Sequence, residues 1–342
     1  MDEFSREDVP FKYSITSYGA DYPVDALVKR MQTESIYIPP FQRQYIWTQR
    51  QASRFVESLL LGLPVPGVFF SKEADSNKHI VIDGQQRLKT LRMFYEGVFR
   101  QREFKLVEVQ DAFDGLTYKT LSEEQRRELD DYLIHATIIK QDEPSDDQSS
   151  VFHVFERLNT GGAQLQAQEI RACIYFGEFN ELLARLNALP AWRAVYGPVS
   201  SRMKDQELIL RFFALYYAEQ LYSRPMKAFL NSFMGEHRKL DIISGAEFTE
   251  LFSETIGLIS EEIGLSAFRP TRTFNAAVFD AIMVGLARCL KDSPFEKGAI
   301  RIVYRNLLNE PDFRKSYLKS TADEVQVKRR LSIATKAFAK IK

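Results

Sequence analysis

An apolar run that ends at a polar, glycine-containing pentapeptide constrains the fold of this chain most. His79-Ile80-Val81-Ile82 is rich in β-branched residues and predicts a strand. Beyond residue 87, apolar side chains recur at helical spacing and predict a helix over about residues 84–98. The strand and the helix meet in the segment 83–87 (Asp-Gly-Gln-Gln-Arg, hereafter the DGQQR segment). The sequence therefore predicts a tight strand–turn–helix unit here.

The pattern of the remaining segments changes near residue 145. Before it, strand-like segments are mixed with helical ones, and after it nearly every segment has helical periodicity. We therefore predict an α+β fold with two domains: a small mixed sheet with helices over residues 20–145, and a mostly α-helical domain over residues 146–342. Residues 1–20 are expected to be a weakly structured lead-in. The predicted strands are 35–38, 68–70, 79–82, 105–109 and 133–139, and the first predicted helix is 49–62.

Composition excludes some classes of protein. The 342 residues are 45% hydrophobic and 27% charged, as in an ordinary globular protein. No apolar run approaches the roughly 20 residues that cross a bilayer, and the first residues lack the apolar centre of a signal peptide. The two cysteines and four histidines have no metal-ligand spacing. We therefore expect a cytoplasmic protein with no membrane partner and no metal site built from its own side chains alone.

Charge is balanced overall but not along the chain. The 46 basic and 46 acidic residues give a formal net charge of zero, which is unlike a generic nucleic-acid binder. Between residues 314 and 342, however, nine basic residues are opposed only by Asp323 and Glu324. This segment is either a solvated helix face or a basic tail that contacts phosphates. The nine are Arg314, Lys315, Lys319, Lys328, Arg329, Arg330, Lys336, Lys340 and Lys342.

The DGQQR segment has the composition of an anion site. The first backbone N–H groups of a helix have no partner within it, and the helix dipole makes that end positive, so phosphate is a natural ligand. Gly84 lets the backbone approach the ligand, and Arg87 adds a planar fork of donors. Asp83 is placed as the N-cap with Gln86 completing a capping box, and Gln85 is a candidate for orienting water or contacting a ligand edge. Alternatively, Asp83 only caps a helix.

A second polar segment, 155–162, ends a predicted helix at 150–158. A new helix is predicted at 166–176, with Glu169 in its first turns. One interpretation is a turn that only ends one helix before the next begins, because asparagine and glycine favour left-handed C-caps. The other is a loop that faces the DGQQR segment and completes an anion nest. The candidate residues of that loop are Arg157, Asn159, Thr160, Gly161 and Gly162.

A third segment, 38–47, combines aromatic residues with glutamines and one arginine just before the helix at 49–62. It is either a packed loop with Phe41 and Trp47 as core anchors, or a binding loop. In the second case Gln42 and Arg43 would reach the bound ligand.

Taken in order, these segments resemble the N-terminal domain family of GmrSD-type modification-dependent restriction systems, within the ParB/sulfiredoxin-like superfamily. The resemblance is strongest over about residues 30–215, and segments 168–171 and 202–208 also fit it. It rests on four boxes in the same order, at 41–47 (FQRQYIW), 61–66 (LGLPVP), 82–91 (IDGQQRLKTL) and 155–162 (FERLNTGG).

The resemblance implies a protein of a bacterial anti-phage restriction system that binds and hydrolyses nucleoside triphosphates, coupled to DNA sensing. Mg²⁺ and the triphosphate would bind between the DGQQR helix and the 159–162 loop. The family's functional signature corresponds to Gln86 and Arg87. The expected catalytic residues are Asp83, Gln86 and Arg87, and the expected nucleotide-binding residues are Gln42, Arg43, Gly84, Gln85, Arg157, Asn159, Thr160, Gly161, Gly162 and Glu169.

The chain departs from many relatives in one respect. They carry an HNH-type nuclease domain towards the C-terminus, whereas residues beyond 215 show helical periodicity and no such motif. We therefore expect any DNA cleavage to come from a separate nuclease or effector chain, and a homo-oligomer is compatible with this interpretation. The alternatives are a non-catalytic DNA-binding or sensing module with a ParB-like fold and, third, a DNA nuclease or nickase.

Overall fold

A computed structural model describes residues 14–39, 45–73, 78–143, 149–158, 165–290 and 298–341. The chain divides into two compact units, Met1–Gln164 and Leu165–Lys342. The helix expected at 150–158 lies in the first unit, so this division comes later than the change in sequence pattern near residue 145. The assignment of functions to domains 20–145 and 146–342 stays a prediction.

A five-stranded mixed sheet lies at the centre of the first unit. Its strand order is β1-β7-β3-β4-β2, with β1/β7 and β3/β4 antiparallel and β3/β7 and β2/β4 parallel. This arrangement, followed by a mostly helical second unit, confirms the predicted α+β class. The elements are β1 (Ser14–Pro23), α1 (Val24–Gln32), β2 (Ile36–Tyr37), α2 (Gln49–Leu60), β3 (Val68–Lys72), β4 (His79–Asp83), α3 (Gln85–Glu96), β5 (Val98–Phe99), β6 (Arg102–Glu103), α4 (Glu123–Asp131), β7 (Leu133–Glu143) and α5 (Ser149–Leu158).

One face of this sheet packs with the helices to form the core of the unit. Phe70 of β3 and Val81 of β4 are fully buried and belong to the same cluster as Leu88 and Leu91 of α3. A fully buried aliphatic or aromatic side chain contributes about 1.5–3 kcal/mol. Because Leu88 directly follows Arg87, the first turn of α3 is fixed against the sheet.

Two secondary-structure predictions for this unit are wrong. Residues 14–20 are not part of a weakly structured lead-in, because they lie in β1 and pair with β7. Residues 105–109 are not a strand, and side chains of helix α2 bond to two of their backbone groups. The Val107 N–H donates to Ser53 Oγ at 3.0 Å, and the Lys105 carbonyl accepts from Gln49 at 2.8 Å. Leu106 instead exchanges backbone bonds with the turn at Gly115 and Leu116.

Several polar segments meet at one edge of the sheet. Strands β2 and β4 are parallel neighbours, so their carboxyl ends reach the same edge. Asp83 ends β4 there, and Pro39 follows β2 there, just before the box at 41–47. Gly67, which precedes β3, lies at the same edge because β3 runs antiparallel to β4. The sheet topology therefore places the DGQQR segment at the same edge as Pro39, near the start of the third polar segment.

The second unit is built from helices. Among the residues that the structure describes, no helix combines the length and apolarity needed to span a bilayer. The helices are α6 (Ala167–Ile174), α7 (Glu178–Asn187), α8 (Pro190–Tyr196), α9 (Lys204–Ala218), α10 (Met226–Glu236), α11 (Gly245–Glu262), α12 (Ala276–Leu290), α13 (Ala299–Asn309), α14 (Pro311–Leu318) and α15 (Glu324–Phe338).

The basic C-terminal segment is not a tail. Its described residues form α14 and α15 and the short turn after them, and Arg330 is fully buried. Arg330 donates to Asp280 of α12 at 3.1 Å, and the same carboxylate accepts two bonds from Arg211 of α9. A buried carboxylate needs such partners, because a buried unpaired charge is strongly destabilising. Part of the basic segment therefore has a structural role.

A pair of glycines tests how closely α12 and α15 pack. A Cβ at Gly285 of α12 would lie 2.8 Å from the backbone carbon of Ala334, whereas a Cβ at Gly257 of α11 would meet nothing within 4 Å. We expect Gly285→Ala to lower the free energy of unfolding by about 1–3 kcal/mol through overpacking. The control Gly257→Ala should raise it by about 0.5–1 kcal/mol through helix propensity. Urea denaturation measures both, and equal stability of the two variants would contradict the packing.

Candidate functional site

The turn between β4 and α3 is built on Gly84. Its φ of +96° lies in the left-handed region, and a Cβ there would lie 2.5 Å from Val68 Cγ1, so only glycine fits. Gly84 itself is the N-cap of α3, and Asp83 is the last residue of the strand. The predicted N-cap role of Asp83 is therefore wrong, because the left-handed glycine joins strand to helix without a capping side chain.

Arg87 connects the parts of this turn. Its Nη2 donates to the Asp83 carboxylate at 2.8 Å and to the Gly67 carbonyl at 3.0 Å. One guanidinium thus joins the end of β4, the residue before β3 and the first turn of α3. The Arg87 side chain is 15% exposed and that of Asp83 is 46% exposed. Arg87 Nε is buried without an acceptor among the described residues. Arg87 is therefore fixed in place and keeps an unused donor.

Gln86 fixes the chain that follows the third polar segment. Its Oε1 accepts from the backbone N–H groups of Ile46 at 3.0 Å and Trp47 at 3.3 Å. The predicted capping box between Asp83 and Gln86 is therefore wrong, because these two amides take the side-chain oxygen. Gln86 is a positioning residue in this structure.

Further contacts hold residues 45–47 to α3 and to the β5–β6 ribbon. Tyr45 Oη lies 2.7 Å from Thr90 Oγ1, and Arg100 donates to the carbonyls of Tyr45 and Trp47. Burial raises the pKa of the Tyr45 hydroxyl, so it stays protonated and able to donate. Trp47 packs edge-on against Phe55 of α2. The proposed anchor role of Trp47 is confirmed, while Gln42, Arg43 and Phe41 lie outside the described residues.

The sequence-predicted ligand residues are distributed unevenly. Asp83, Gly84, Gln85, Gln86 and Arg87 are brought together at the β4–α3 turn, where all except the buried Gly84 are partly exposed. Arg157 is exposed near the end of α5. The loop residues Asn159, Thr160, Gly161 and Gly162 lie outside the described part of the chain, so their proximity to this turn stays a prediction.

Glu169 lies in the second unit, and its carboxylate is nearly buried. Its Oε2 accepts from the Gln166 N–H at 2.6 Å and from Arg202 Nε at 3.0 Å. These bonds cap the start of α6 and orient the Arg202 guanidinium. In this structure Glu169 therefore positions an arginine, and its predicted contact with nucleotide is untested.

The described side chains of the turn are polar, but they do not form a cluster of metal ligands. Among the described residues, no three His, Cys, Asp or Glu side chains are grouped closely enough to hold a metal ion. At the turn itself the carboxylate is that of Asp83, which is half exposed. Burial lowers the pKa of the Lys89 amine in the following turn of α3.

Sequence reasoning missed the residues that hold this turn from outside the motif. Gly67 provides a backbone carbonyl to Arg87, and Thr90 and Arg100 hold the 45–47 segment. A Cβ on Gly67 would lie 2.7 Å from the His135 carbonyl oxygen, so this position also needs glycine. The signal for Gly67 was present, because a Pro-Val-Pro-Gly turn directly precedes a strand.

The positioning role of Gln86 can be tested by amide exchange. In Gln86→Leu the Ile46 and Trp47 N–H groups lose their acceptor, so their protection should fall roughly fivefold to tenfold, as expected for about 1 kcal/mol per hydrogen bond. Gln86→Glu keeps an acceptor oxygen and serves as the control. Hydrogen exchange of a peptide covering residues 45–48 measures the effect. Unchanged exchange in Gln86→Leu would refute the assigned role.

Comparison with solved structures and with curated proteins gives no strong match to this chain. A solved structure of a Pnob8-like ParB-N domain is similar over 92% of this chain and 98% of that chain, with 13% sequence identity and a TM-score of 0.24. A TM-score this low establishes no shared fold, so the ParB-like superfamily stays a prediction from the resemblance. None of the curated proteins compared with the chain matches it.

The family comparison covers the candidate site. Residues 24–176 match the family model described as GmrSD restriction endonuclease, N-terminal domain. The matched segment includes β4, the DGQQR segment and α3, and it ends just after α6. Residues 24–176 are therefore similar to the GmrSD N-terminal domain, and the matched segment is a little under half of the chain.

Proposed function

We propose that this protein binds and hydrolyses a nucleoside triphosphate at the DGQQR turn, as part of a bacterial anti-phage system in which hydrolysis is coupled to DNA sensing. The observation that carries the proposal is the fixed arrangement of Arg87 at the start of α3 within the segment that is similar to the GmrSD N-terminal domain. A separate nuclease or effector chain would perform any DNA cleavage.

The start of α3 supports phosphate binding by its geometry. Gly84 has no side chain to occupy the space before the first turn, and it joins the helix directly to a sheet edge. The dipole of a 12-residue helix favours an anion at this end. Arg87 adds a guanidinium whose position is already set by two acceptors, so little order is lost when it meets a charged ligand.

The donor set at the turn fits Mg²⁺ that arrives with the triphosphate. Mg²⁺ in such sites keeps several waters and takes one or two protein carboxylates together with substrate phosphates. Asp83 is half exposed and is the residue that would hold it. When bound, the ion would neutralise phosphate charge as the anhydride bond breaks. In that complex Arg87 would keep its bond to the Gly67 carbonyl and direct its remaining donors towards the phosphates.

The remaining residues have narrower proposed roles. Gln86 holds the 45–47 segment, which is separated from Arg43 by one residue, so Gln42 and Arg43 would lie near the ligand. Gln85 would contact the nucleotide or its attacking water. Arg157 and the loop residues Asn159, Thr160, Gly161 and Gly162 would complete the phosphate-binding surface.

Phosphate release with each of the four common triphosphates tests the proposal. We expect Arg87→Ala to lower turnover at least about 100-fold, as for the loss of a donor aimed at transition-state charge. Arg92→Ala is the matched control, since Arg92 lies on the same helix in an exposed ion pair with Glu96. Thermal unfolding and the Arg87→Lys variant separate lost chemistry from lost stability. Equal turnover of wild type and Arg87→Ala would reject the enzymatic proposal.

DNA binding is the second candidate, and exposed cations at α14 favour it. Arg314, Lys315 and Lys319 are exposed, and no described carboxylate lies within ion-pair distance of them. They differ in this respect from the buried Arg330. Such cations can contact phosphates without a cost to the core.

A salt titration of DNA affinity tests this second candidate. In the variant with Arg314, Lys315 and Lys319 changed to alanine, affinity should fall less steeply with salt. The slope of log affinity against log salt should become shallower by roughly 0.9 for each DNA phosphate that the protein no longer neutralises. Deleting residues 314–342 is unsuitable, because it would leave the buried Asp280 without Arg330. Lys239→Ala, at an exposed lysine of the same unit, is the control. An unchanged slope, or no measurable DNA affinity of wild type, would reject this candidate.

A further inference from the structure

A cavity of about 360 Å³ lies within the helical second unit, far along the chain from the DGQQR segment. Its wall is formed by the start of α6, the end of α8, the start of α9 and the residues around the start of α12. This volume is in the range of pockets that hold small organic ligands. Neither the family resemblance nor the proposed hydrolysis uses this cavity.

The charges around this cavity favour an anion. Arg202, Lys204 and Arg211 line it, together with one carboxylate, that of Glu207. Each carboxylate in or directly behind the wall is already bonded to arginine. Glu169 accepts from Arg202, Glu207 from Arg171, and Asp280 from both Arg211 and Arg330. The wall and the residues bonded to it therefore hold five cations and three carboxylates, an excess of two positive charges.

Two side chains in this wall provide donors that nothing in the described structure uses. Gln168 is 1% exposed, and its Nε2 has no acceptor among the described residues, although its Oε1 accepts from Arg171 at 3.0 Å. A buried amide donor without an acceptor is costly, and it marks a place where a ligand or water accepts a bond. Lys204 is exposed, and no described carboxylate lies within ion-pair distance of its ammonium group.

The opposite part of the wall is aromatic. Tyr196 and Phe274 both line the cavity, with ring centroids 5.4 Å apart and planes tilted by 56°. Both rings are partly exposed, so each has surface available to a ligand. An aromatic wall adds favourable contact area for a planar ring.

We propose that this cavity is a binding site for a small phosphate monoester that carries a planar ring, the class to which a nucleoside monophosphate belongs. The phosphate accepts bonds from Gln168 Nε2, Lys204 and the arginines of the wall, and the ring packs against Tyr196 and Phe274. Glu169 is a positioning residue for this site, because it orients Arg202. The site goes beyond the proposed hydrolysis and is independent of it.

Isothermal titration of the full-length protein with AMP tests the site. Adenosine lacks the phosphate and inorganic phosphate lacks the ring, so each should bind at least about tenfold more weakly than AMP. Titrations are repeated in the Arg87→Ala background, where binding to this cavity should be unchanged. Loss of AMP binding in that background would place the ligand at the DGQQR turn and overturn the proposal, without bearing on triphosphate hydrolysis.

Two variants locate the binding. Gln168→Glu keeps an acceptor for Arg171 but replaces the unused donor with a negative charge, so AMP affinity should fall at least about tenfold. Lys204→Glu acts at an exposed position that does not depend on core packing, and it should produce a similar loss. Lys328→Ala, at an exposed lysine outside the cavity, should bind as wild type. No binding of AMP to wild type, or wild-type affinity in both charge variants, would overturn the proposal.

Discussion

The bond from Arg87 to the Gly67 carbonyl is the contact on which the candidate site depends. It ties the first turn of α3 to the residue before β3, while the same nitrogen holds Asp83 at the end of β4. Glycine at 84 and at 67 allows the backbones to come this close. The local order of the site therefore comes from one guanidinium, two glycines and the buried Leu88 that follows in the helix. A site preorganised in this way loses little entropy when a charged ligand arrives.

The sequence was sufficient to predict the strand–turn–helix unit, because residues 79–82 are a run of β-branched residues and the apolar residues after Arg87 recur at helical spacing. It was insufficient for the contacts that hold the unit. Arg87 and Gln86 both bond to backbone groups, of Gly67, Ile46 and Trp47, and a backbone partner leaves no signature in the residue types. The expected N-cap at Asp83 failed for a related reason, since a left-handed glycine makes the turn without a capping side chain.

Counting charges along the chain was also a poor guide to where they are exposed. The nine basic residues after 313 predict either a solvated face or a phosphate-contacting tail, yet Arg330 is in the core with Asp280, and Arg329 pairs with Asp312. The partners lie 50 and 17 positions away. A buried carboxylate bonded to two arginines is invisible to a local window, because the pairing is made by the packing of α9, α12 and α15.

The family match and the compact units overlap in α6. This helix lies within residues 24–176, but it belongs to the second unit, where Arg202 holds its Glu169 and Glu207 holds its buried Arg171. Without these partners the helix would carry uncompensated buried charges, which typically cost about 3–5 kcal/mol. The stability of α6 therefore depends on residues beyond the matched segment. A phosphate that binds Arg202 in the second-unit cavity would compete with Glu169 for that guanidinium. It would affect α6 only to the extent that it favours one arrangement of the Arg202–Glu169 pair.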